Sequence, residues 1–176
     1  MQLLCIMKSH NGMRPQDIVV LLKIRSLDQA QWRYRDLALS LFLSISEVSE
    51  SLTRSHRAGL IDESRRKVFR KSLMEFIEYG LQYVFPQQPG TMVIGIPTAH
   101  SHPAFKAHFT TETHYVWPDD DGSIRGLSIT PLYKGAPKAA LQDSVLHLML
   151  AAIDIIRVGQ TRELKFALNT LYDIIL

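Results

Sequence analysis

Four histidines within fifteen residues, followed closely by three aspartates, are the most concentrated chemically active side chains in this sequence. They are His100, His102, His108 and His114, followed by Asp119, Asp120 and Asp121. Imidazole is a common metal ligand, and two histidines one residue apart on an extended segment place both rings on one face. The spacing matches no standard metal site, however, and solvation or hydrogen bonding to nearby backbone is the simpler reading. We predict no bound metal.

The acidic run that ends in Gly122 is similar to a calcium-binding loop only in part. That motif needs alternating acids and a glutamate six residues after its glycine, and Ser128 occupies this position here. Apolar residues flank Asp121-Gly122 on both sides, a pattern that instead predicts the turn of a β-hairpin.

The sequence contains no motif typical of a known catalytic site. It has no nucleophile elbow, Walker loop, dinucleotide-binding glycine motif or zinc-protease motif. The stretch Ser44–Ser55 is rich in serine, but no general base is implied beside any of these hydroxyls. Cys5 is the only cysteine, which excludes an intrachain disulfide and a cysteine-built zinc site. We therefore predict that the chain is not an enzyme and binds no cofactor.

A different kind of site is indicated by residues 36–61, DLALSLFLSISEVSESLTRSHRAGLI. Their spacing predicts two helices that pack at a steep angle, the second of them capped by Ser44 and ended by Gly59. The side chains that face inward are predicted to be Leu37, Ala38, Leu41, Val48 and Leu52. Leu43 would lie in the turn and support both helices.

This stretch resembles, without a gap, the helix-turn-helix of bacterial winged-helix regulators of the MarR and ArsR kind. The resemblance is carried by Asp36-Leu37-Ala38, the cap at Ser44 and the closing Ala58-Gly59-Leu60-Ile61, and it extends over residues 14–72. It implies a transcriptional regulator, a dimer that binds a palindromic operator in double-stranded DNA. Phe42 departs from the pattern, since glycine usually occupies this turn position. A phenylalanine at positive φ costs roughly 1 kcal/mol or more, so we expect a wider turn.

The resemblance also implies which residues would contact DNA. The predicted set is Arg33, Arg35, Ser44, Ser46, Glu47, Ser49, Glu50, Thr53, Arg54, Arg57, Arg65, Arg66 and Lys67. Serine, threonine and glutamate on the second helix could read base edges, and a carboxylate can accept from cytosine N4. The basic residues would hold phosphates. Two alternatives stay open: a solvated helix face that touches nothing, and packing of Trp32 and Tyr34 on the core.

Charge is distributed unevenly along the chain. Residues 1–72 contain thirteen Lys and Arg against seven Asp and Glu, a net of +6, whereas residues 73–176 have a net of −3. A polyanion would therefore meet the first half.

The predicted fold class is α+β, mainly helical, with an N-terminal winged helix-turn-helix followed by an α/β C-terminal region that contains two long helices. The predicted domains are residues 1–72 for DNA binding and residues 73–176 for dimerisation or for binding a partner or effector. The predicted elements, in order, are a helix over 14–25, a short strand over 32–34, helices over 36–41 and 44–57, a ribbon over 60–69, a helix over 71–85 weakened at Gly80, a strand over 91–96, a long loop over 97–114, the hairpin, one helix over 137–158 and a last helix from 161.

No signal peptide or membrane-spanning run is predicted, so we expect a soluble, cytoplasmic protein without a membrane partner. Met13 is a possible functional start, with residues 1–12 as a loose extension.

The apolar stripe from Leu141 to Ile156 could be intrachain core or a dimer face. The alternative function is a protein-interaction module, such as an antitoxin or accessory subunit, on the same scaffold.

Overall fold

The computed structural model describes residues 12–27, 31–109, 112–159 and 161–176. The prediction that residues 1–12 form a loose extension therefore lies almost wholly outside the described residues. The chain is α+β and mainly helical, as expected. Its helices are α1 Pro15–Ser26, α2 Tyr34–Leu41, α3 Ile45–Arg57, α4 Arg70–Tyr79, α5 Leu81–Val84, α6 Pro103–Lys106, α7 Ala136–Leu141, α8 Ser144–Val158 and α9 Thr161–Ile175. Its strands are β1 Met92–Pro97, β2 Tyr115–Pro118 and β3 Ile124–Ser128.

Helix α1 lies at the centre of the molecule. Five consecutive residues, Ile18–Leu22, are fully buried, so the helix is apolar on every side and must be covered on every side. It packs against α2 and α3 on one side and against α8 on the other. Pro15 in its first turn and the acid Asp17 two residues later start the helix, as the sequence predicted.

Helices α2 and α3 pack on α1 through the inward residues that their spacing predicted. The residues Leu37, Ala38, Leu41, Val48 and Leu52 are all buried. The predicted strand over 32–34 is wrong, because Tyr34 is already the first residue of α2. Trp32 is buried beside it, and the two rings stack with their centroids 6.1 Å apart. Trp32 belongs to the apolar core and Tyr34 packs partly buried against it, as the packing alternative expected.

The three strands form a small closed sheet rather than a hairpin beside a separate strand. Both β2 and β3 are antiparallel to β1 and parallel to each other. Gly95 faces Pro118 on one side and Ile124 on the other. A Cβ on Gly122 would lie 2.3 Å from the Gly95 backbone. The chain therefore turns at Asp121-Gly122 but crosses over β1 before it pairs again, and the predicted hairpin is wrong.

The predicted helix over 137–158 is also wrong, because two helices occupy this stretch. Helix α7 ends at Leu141, and Asp143 caps α8, since its carboxylate accepts a hydrogen bond from the Leu146 amide at 3.0 Å. The same carboxylate lies 2.7 Å from Lys23 Nζ on α1. The ion pair fixes the break by tying it to the central helix.

Helix α8 is the second central helix, and it belongs to an apolar cluster that spans both halves of the chain. Residues 149–157 are all buried, so the stripe predicted from Leu141 to Ile156 packs within the chain except at its start. The apolar cluster includes α1, α3, α4, β2, α8 and α9, and therefore residues from both predicted domains. Both α8 and α9 are fifteen residues long, which confirms the two long C-terminal helices.

Residues 97–114 were predicted to be a loop, but part of the segment is helical. A 3₁₀ turn forms at Ala99–Ser101 and α6 follows it, whereas Thr110 and Thr111 lie outside the described residues. Within the described ranges, none of the helices has the length and apolar character needed to cross a membrane.

Candidate nucleic-acid interface

The turn between α2 and α3 is tight, and Phe42 carries its strain. Phe42 adopts φ 54° and ψ 40°, the left-handed conformation that glycine takes without cost. The Leu43 amide donates to the Ala38 carbonyl at 3.0 Å, which closes the end of α2. The prediction of a wider turn is therefore wrong, because Phe42 itself adopts the strained left-handed conformation. Leu43 is partly buried against the core, as predicted.

The first turn of α3 is fixed by a reciprocal pair of hydrogen bonds. Ser44 Oγ accepts from the Glu47 amide at 3.1 Å, and Glu47 Oε2 accepts from the Ser44 amide at 2.7 Å. The bonds from Ser44 hold the pKa of Glu47 below its usual value. Both side chains, predicted to contact DNA, are thus already used to start the helix.

The outer face of α3 is open. Ser46 and Glu50 are exposed, and the Glu50 side chain keeps 62% of its surface accessible. Ser49 and Thr53 are half-buried, and the Thr53 hydroxyl donates to the Ser49 carbonyl at 2.9 Å. The predicted inward residues Val48 and Leu52 are buried, and the predicted outward residues of the helix remain at least partly exposed.

Arg54 lies on the inner face of α3, not among the exposed basic residues. Its Nε and Nη2 donate to the two carboxylate oxygens of Asp17 at 2.8 and 2.7 Å. Arg54 is 7% exposed and Asp17 is fully buried. A guanidinium held in this way cannot reach a phosphate, so the prediction that Arg54 contacts DNA is corrected. Asp17 was the partner that the sequence did not reveal, because 37 residues separate the two.

A short hairpin follows α3, as the ribbon over 60–69 predicted. Ile61 and Val68 form its one bridge, and the Phe69 amide donates to the Leu60 carbonyl at 2.9 Å. Asp62 organises the tip, since its Oδ1 accepts from the amides of Arg66 and Lys67, both at 2.8 Å.

The charge on Asp62 is favoured by this arrangement. Partial burial alone would raise the pKa of its carboxyl, but hydrogen bonds from Ser64, Lys67 and Arg66 together lower it. Asp62 therefore remains ionised and keeps the tip folded. Arg65, within this turn, adopts a positive φ of 59°.

Arg66 joins the tip of the hairpin to the start of α2. Its guanidinium carbon lies 4.4 Å from the centre of the Trp32 ring and 5.8 Å from that of Tyr34. Its Nη1 also donates to the Trp32 carbonyl. A cation over two aromatic rings is a stable contact, so Arg66 acts first as a link between the two segments.

The remaining basic residues of the predicted set are accessible. Arg33 and Arg35 at the start of α2, Arg57 at the end of α3 and Lys67 on the hairpin are exposed, and Arg65 is half-exposed. Because Arg66 holds the hairpin tip beside Trp32, it brings Arg65 and Lys67 to the same end of the structure as Arg33. The predicted site is thus partly assembled, without Arg54.

A groove borders the turn of this candidate site. Its volume is about 460 Å³, and it is lined by Gln16, Phe42, Leu43, Glu47, Tyr133, Lys134, Gly135 and Lys138. Tyr133 Oη donates to the Leu41 carbonyl at 2.6 Å, and burial raises the pKa of this phenol. A Cβ on Gly135 would lie 3.0 Å from the Leu41 oxygen, so glycine lets the entry to α7 pack closely on the turn.

The histidines do not converge on a common point. His100 is buried, donates from Nε2 to the Thr113 carbonyl at 2.7 Å, and has Nδ1 3.4 Å from Glu163 Oε2. His102 instead packs edge-on against His147, with ring centroids 4.4 Å apart. Throughout the described ranges no three His, Cys, Asp or Glu side chains are grouped so that they could hold a metal ion.

Asp154 is the centre of a buried polar network that the sequence did not reveal. Its Oδ2 accepts from Thr98 Oγ1 at 2.7 Å and from Trp117 Nε1 at 2.8 Å, and its Oδ1 accepts from Arg157 Nη1 at 2.8 Å. Burial raises the pKa of this carboxyl, and Arg157 opposes that shift. The only sequence signal was an acid three residues before an arginine in an apolar helix. The network joins the sheet to α8, and its complete burial gives a ligand no access.

Comparison with known proteins adds no relative: no family model, no curated protein and no solved structure matches this chain.

Proposed function

We propose that the chain is a cytoplasmic bacterial transcriptional regulator that binds DNA sequence-specifically. In this proposal α1–α3 and the hairpin over 60–69 form a winged helix-turn-helix, and α3 enters the major groove. The observation that carries the proposal is the contrast between the two faces of α3. One face is fixed by buried contacts, and the other presents Ser46, Ser49 and Glu50 outward.

A helix that reads base edges must be held rigidly, because hydrogen bonds to bases depend on geometry. Val48 and Leu52 are fully buried and the Asp17–Arg54 pair ties α3 to α1. The capping box at Ser44 fixes where the helix begins. These contacts support a recognition role for the outer face.

Four arginines and one lysine around α3 that are exposed or half-exposed support phosphate binding. Arg33, Arg35, Arg57, Arg65 and Lys67 would supply the sequence-independent part of the affinity. Glu50 repels phosphates but can accept from cytosine N4, which favours selective over indiscriminate binding.

A homodimer on a palindromic operator is part of the same proposal, since a two-fold pair would place two copies of α3 one helical turn of DNA apart. The α8 stripe gives it little support, because most of that stripe is core. Exposed apolar side chains on α4 and α5, namely Tyr79, Tyr83 and Val84, support it instead. Sedimentation of the free chain and of the chain with duplex would measure the stoichiometry, and a one-to-one complex would contradict the dimer.

The decisive experiment measures binding to a duplex selected from fragments of the source genome at physiological salt. Arg65→Ala and Lys67→Ala should each weaken binding to every duplex tested. Each change should also lower the slope of log affinity against log salt by roughly one. Arg125→Ala is the matched control, because Arg125 is an exposed arginine on β3, outside the proposed site. Binding that is unchanged in both hairpin variants would remove the hairpin from the proposal.

A second function is favoured by one further observation. Leu39 and Phe42 are 67% and 47% exposed at the turn, where an apolar surface suits a protein partner rather than phosphate. An antitoxin or accessory subunit would use this surface. Two results together would favour this function over DNA binding. A protein partner should co-purify in stoichiometric amount with wild type but not with Leu39→Ala, and the preparation should retain no nucleic acid at low salt.

A further inference from the structure

Ile45 is an apolar residue at the point where α3 would first meet base edges. It is the first residue of the helix, and 53% of its surface is exposed. It belongs neither to the apolar core nor to the partly buried side chains packed against that core. Isoleucine is a poorer helix former than alanine because its branched side chain loses freedom. Neither packing nor helix propensity therefore explains an isoleucine at this position.

The polar side chains next to Ile45 are mostly engaged in hydrogen bonds within the helix. Ser44 and Glu47 are occupied by the capping box. Among the residues of the first helical turn, Ile45 and Ser46 are therefore the side chains that remain free to meet a ligand. The next outward residues, Ser49 and Glu50, lie one turn further along the helix.

We propose that Ile45 recognises the C5-methyl group of a thymine in the bound DNA. This inference rests on the proposed function and names one base that the site selects. In the major groove each natural base edge presents donors or acceptors, and thymine adds an apolar methyl group. An exposed isoleucine cannot satisfy a donor or an acceptor, but it can cover a methyl group and remove both apolar surfaces from water.

The test uses the full chain and a duplex selected from a random library at physiological salt. Each thymine in the selected site is replaced, one at a time, by deoxyuridine, which lacks only the methyl group and keeps base pairing. At one thymine in each half-site, wild-type binding should weaken roughly fourfold, the factor that corresponds to one buried methyl group. Ile45→Ala should bind the original duplex more weakly by a similar factor and should not distinguish thymine from deoxyuridine there.

Two further variants control the measurement. Leu39→Ala removes an apolar side chain of α2 that is more exposed than Ile45, and it should keep the full discrimination between thymine and deoxyuridine. Ile45→Val removes one methyl group, retains the branched shape and should give an intermediate discrimination. The melting temperature of each variant verifies folding.

Three results separate the two levels of the proposal. Loss of the deoxyuridine effect in Ile45→Ala supports the inference. Equal deoxyuridine effects in wild type and Ile45→Ala overturn it and leave DNA binding intact. Failure of the wild-type chain to enrich any duplex overturns the proposed function, and the assignment of Ile45 with it.

Discussion

At the scale of single residues, the buried carboxylate of Asp17 links two helices of the candidate site. It accepts from the Arg14 amide at 2.8 Å, which begins α1, and from two nitrogens of Arg54 on α3. Both side chains are removed from water, so neither charge is compensated if the other is lost. The pair therefore determines how α3 is oriented on α1.

Replacing one partner should destabilise the protein strongly. We expect Asp17→Asn to lower the free energy of unfolding by about 3–5 kcal/mol, because it leaves the Arg54 charge buried and unpaired. Urea unfolding measures this change.

Glu50→Gln is the control for that measurement, since Glu50 lies 3.8 Å from Arg54 but is exposed. The control should cost less than about 1 kcal/mol. A small effect of Asp17→Asn, comparable with that of Glu50→Gln, would show that the buried pair contributes little to the fold.

Phe42 stores backbone strain in an exposed position, and this strain can be measured. Phe42→Gly should raise the free energy of unfolding by about 1 kcal/mol, since glycine adopts positive φ without the clash of a Cβ. Phe42→Ala keeps the Cβ and loses the ring, so it should give no such gain. If alanine and glycine behaved alike in urea unfolding, the strain at this turn would not be the controlling factor.

His102 predicts a pH dependence of stability. Burial, and then the neighbouring His147, lower the pKa of His102 to about 4, below the usual 6.5. The unfolded chain therefore binds this proton more readily than the folded chain. The contribution to stability is complete above pH 6.5 and is lost as the pH falls towards 4.

Urea unfolding at pH 7.5 and at pH 4.5 would measure this dependence. His102→Gln cannot titrate, so it should lose less stability than wild type between the two values. Equal losses in wild type and variant would mean that other groups account for the whole effect of acid.

At the scale of elements, the capping box at the start of α3 explains why a glutamate, Glu47, lies close to the surface proposed to bind DNA phosphates. Its carboxylate satisfies a backbone amide that the helix leaves without a partner. The acid at this position serves the helix itself, and Glu50 is left as the glutamate available to read a base.

Removing the cap should weaken the helix without abolishing the fold. Ser44→Ala should lower the free energy of unfolding by about 1 kcal/mol, and Ser44→Asp should restore it, because aspartate is an equally good N-cap. Thermal unfolding of the two variants would test this. Two variants of equal stability would show that the helix start is held by other contacts.

The sequence predicts α1–α3 well because these elements are decided locally. Periodicity identifies Val48 and Leu52 as buried, and Ser44 and Gly59 mark where α3 begins and where its left-handed terminator lies. The positions proposed to contact DNA follow from this geometry only in part, since Arg54 has helical spacing typical of a surface residue yet pairs with Asp17, which is distant in sequence.

Elements set by distant contacts are the ones that sequence reasoning misplaces. Apolar spacing runs unbroken from Pro137 to Val158, but the helix divides before Asp143, which caps α8 and pairs with the distant Lys23. The turn at Asp121-Gly122 is a correct local prediction, but pairing of both flanks with β1 depends on the close approach of Gly122 to Gly95. No local pattern encodes that approach.

At the scale of the whole molecule, the two central helices couple the predicted domains. Ile18–Leu22 on α1 are buried partly by α8, which belongs to the second half of the chain. A fragment ending at residue 72 would therefore expose an apolar surface that the intact chain covers.

That fragment should not fold as an independent domain. We expect residues 1–72 to show no cooperative thermal transition and to bind a hydrophobic dye, whereas the intact chain unfolds cooperatively. Circular dichroism and dye fluorescence provide the measurement. A sharp transition in the fragment would instead support an autonomous N-terminal unit.

The passage of the chain over β1 has a consequence for the order of events during folding. Because β1 is paired on both sides and Gly122 crosses it, β1 cannot leave the sheet until the crossing segment lifts away. Its amide protons should consequently be among the slowest to exchange with deuterated solvent. We expect the crossing to slow the unfolding rate of the protein rather than to raise its free energy of unfolding.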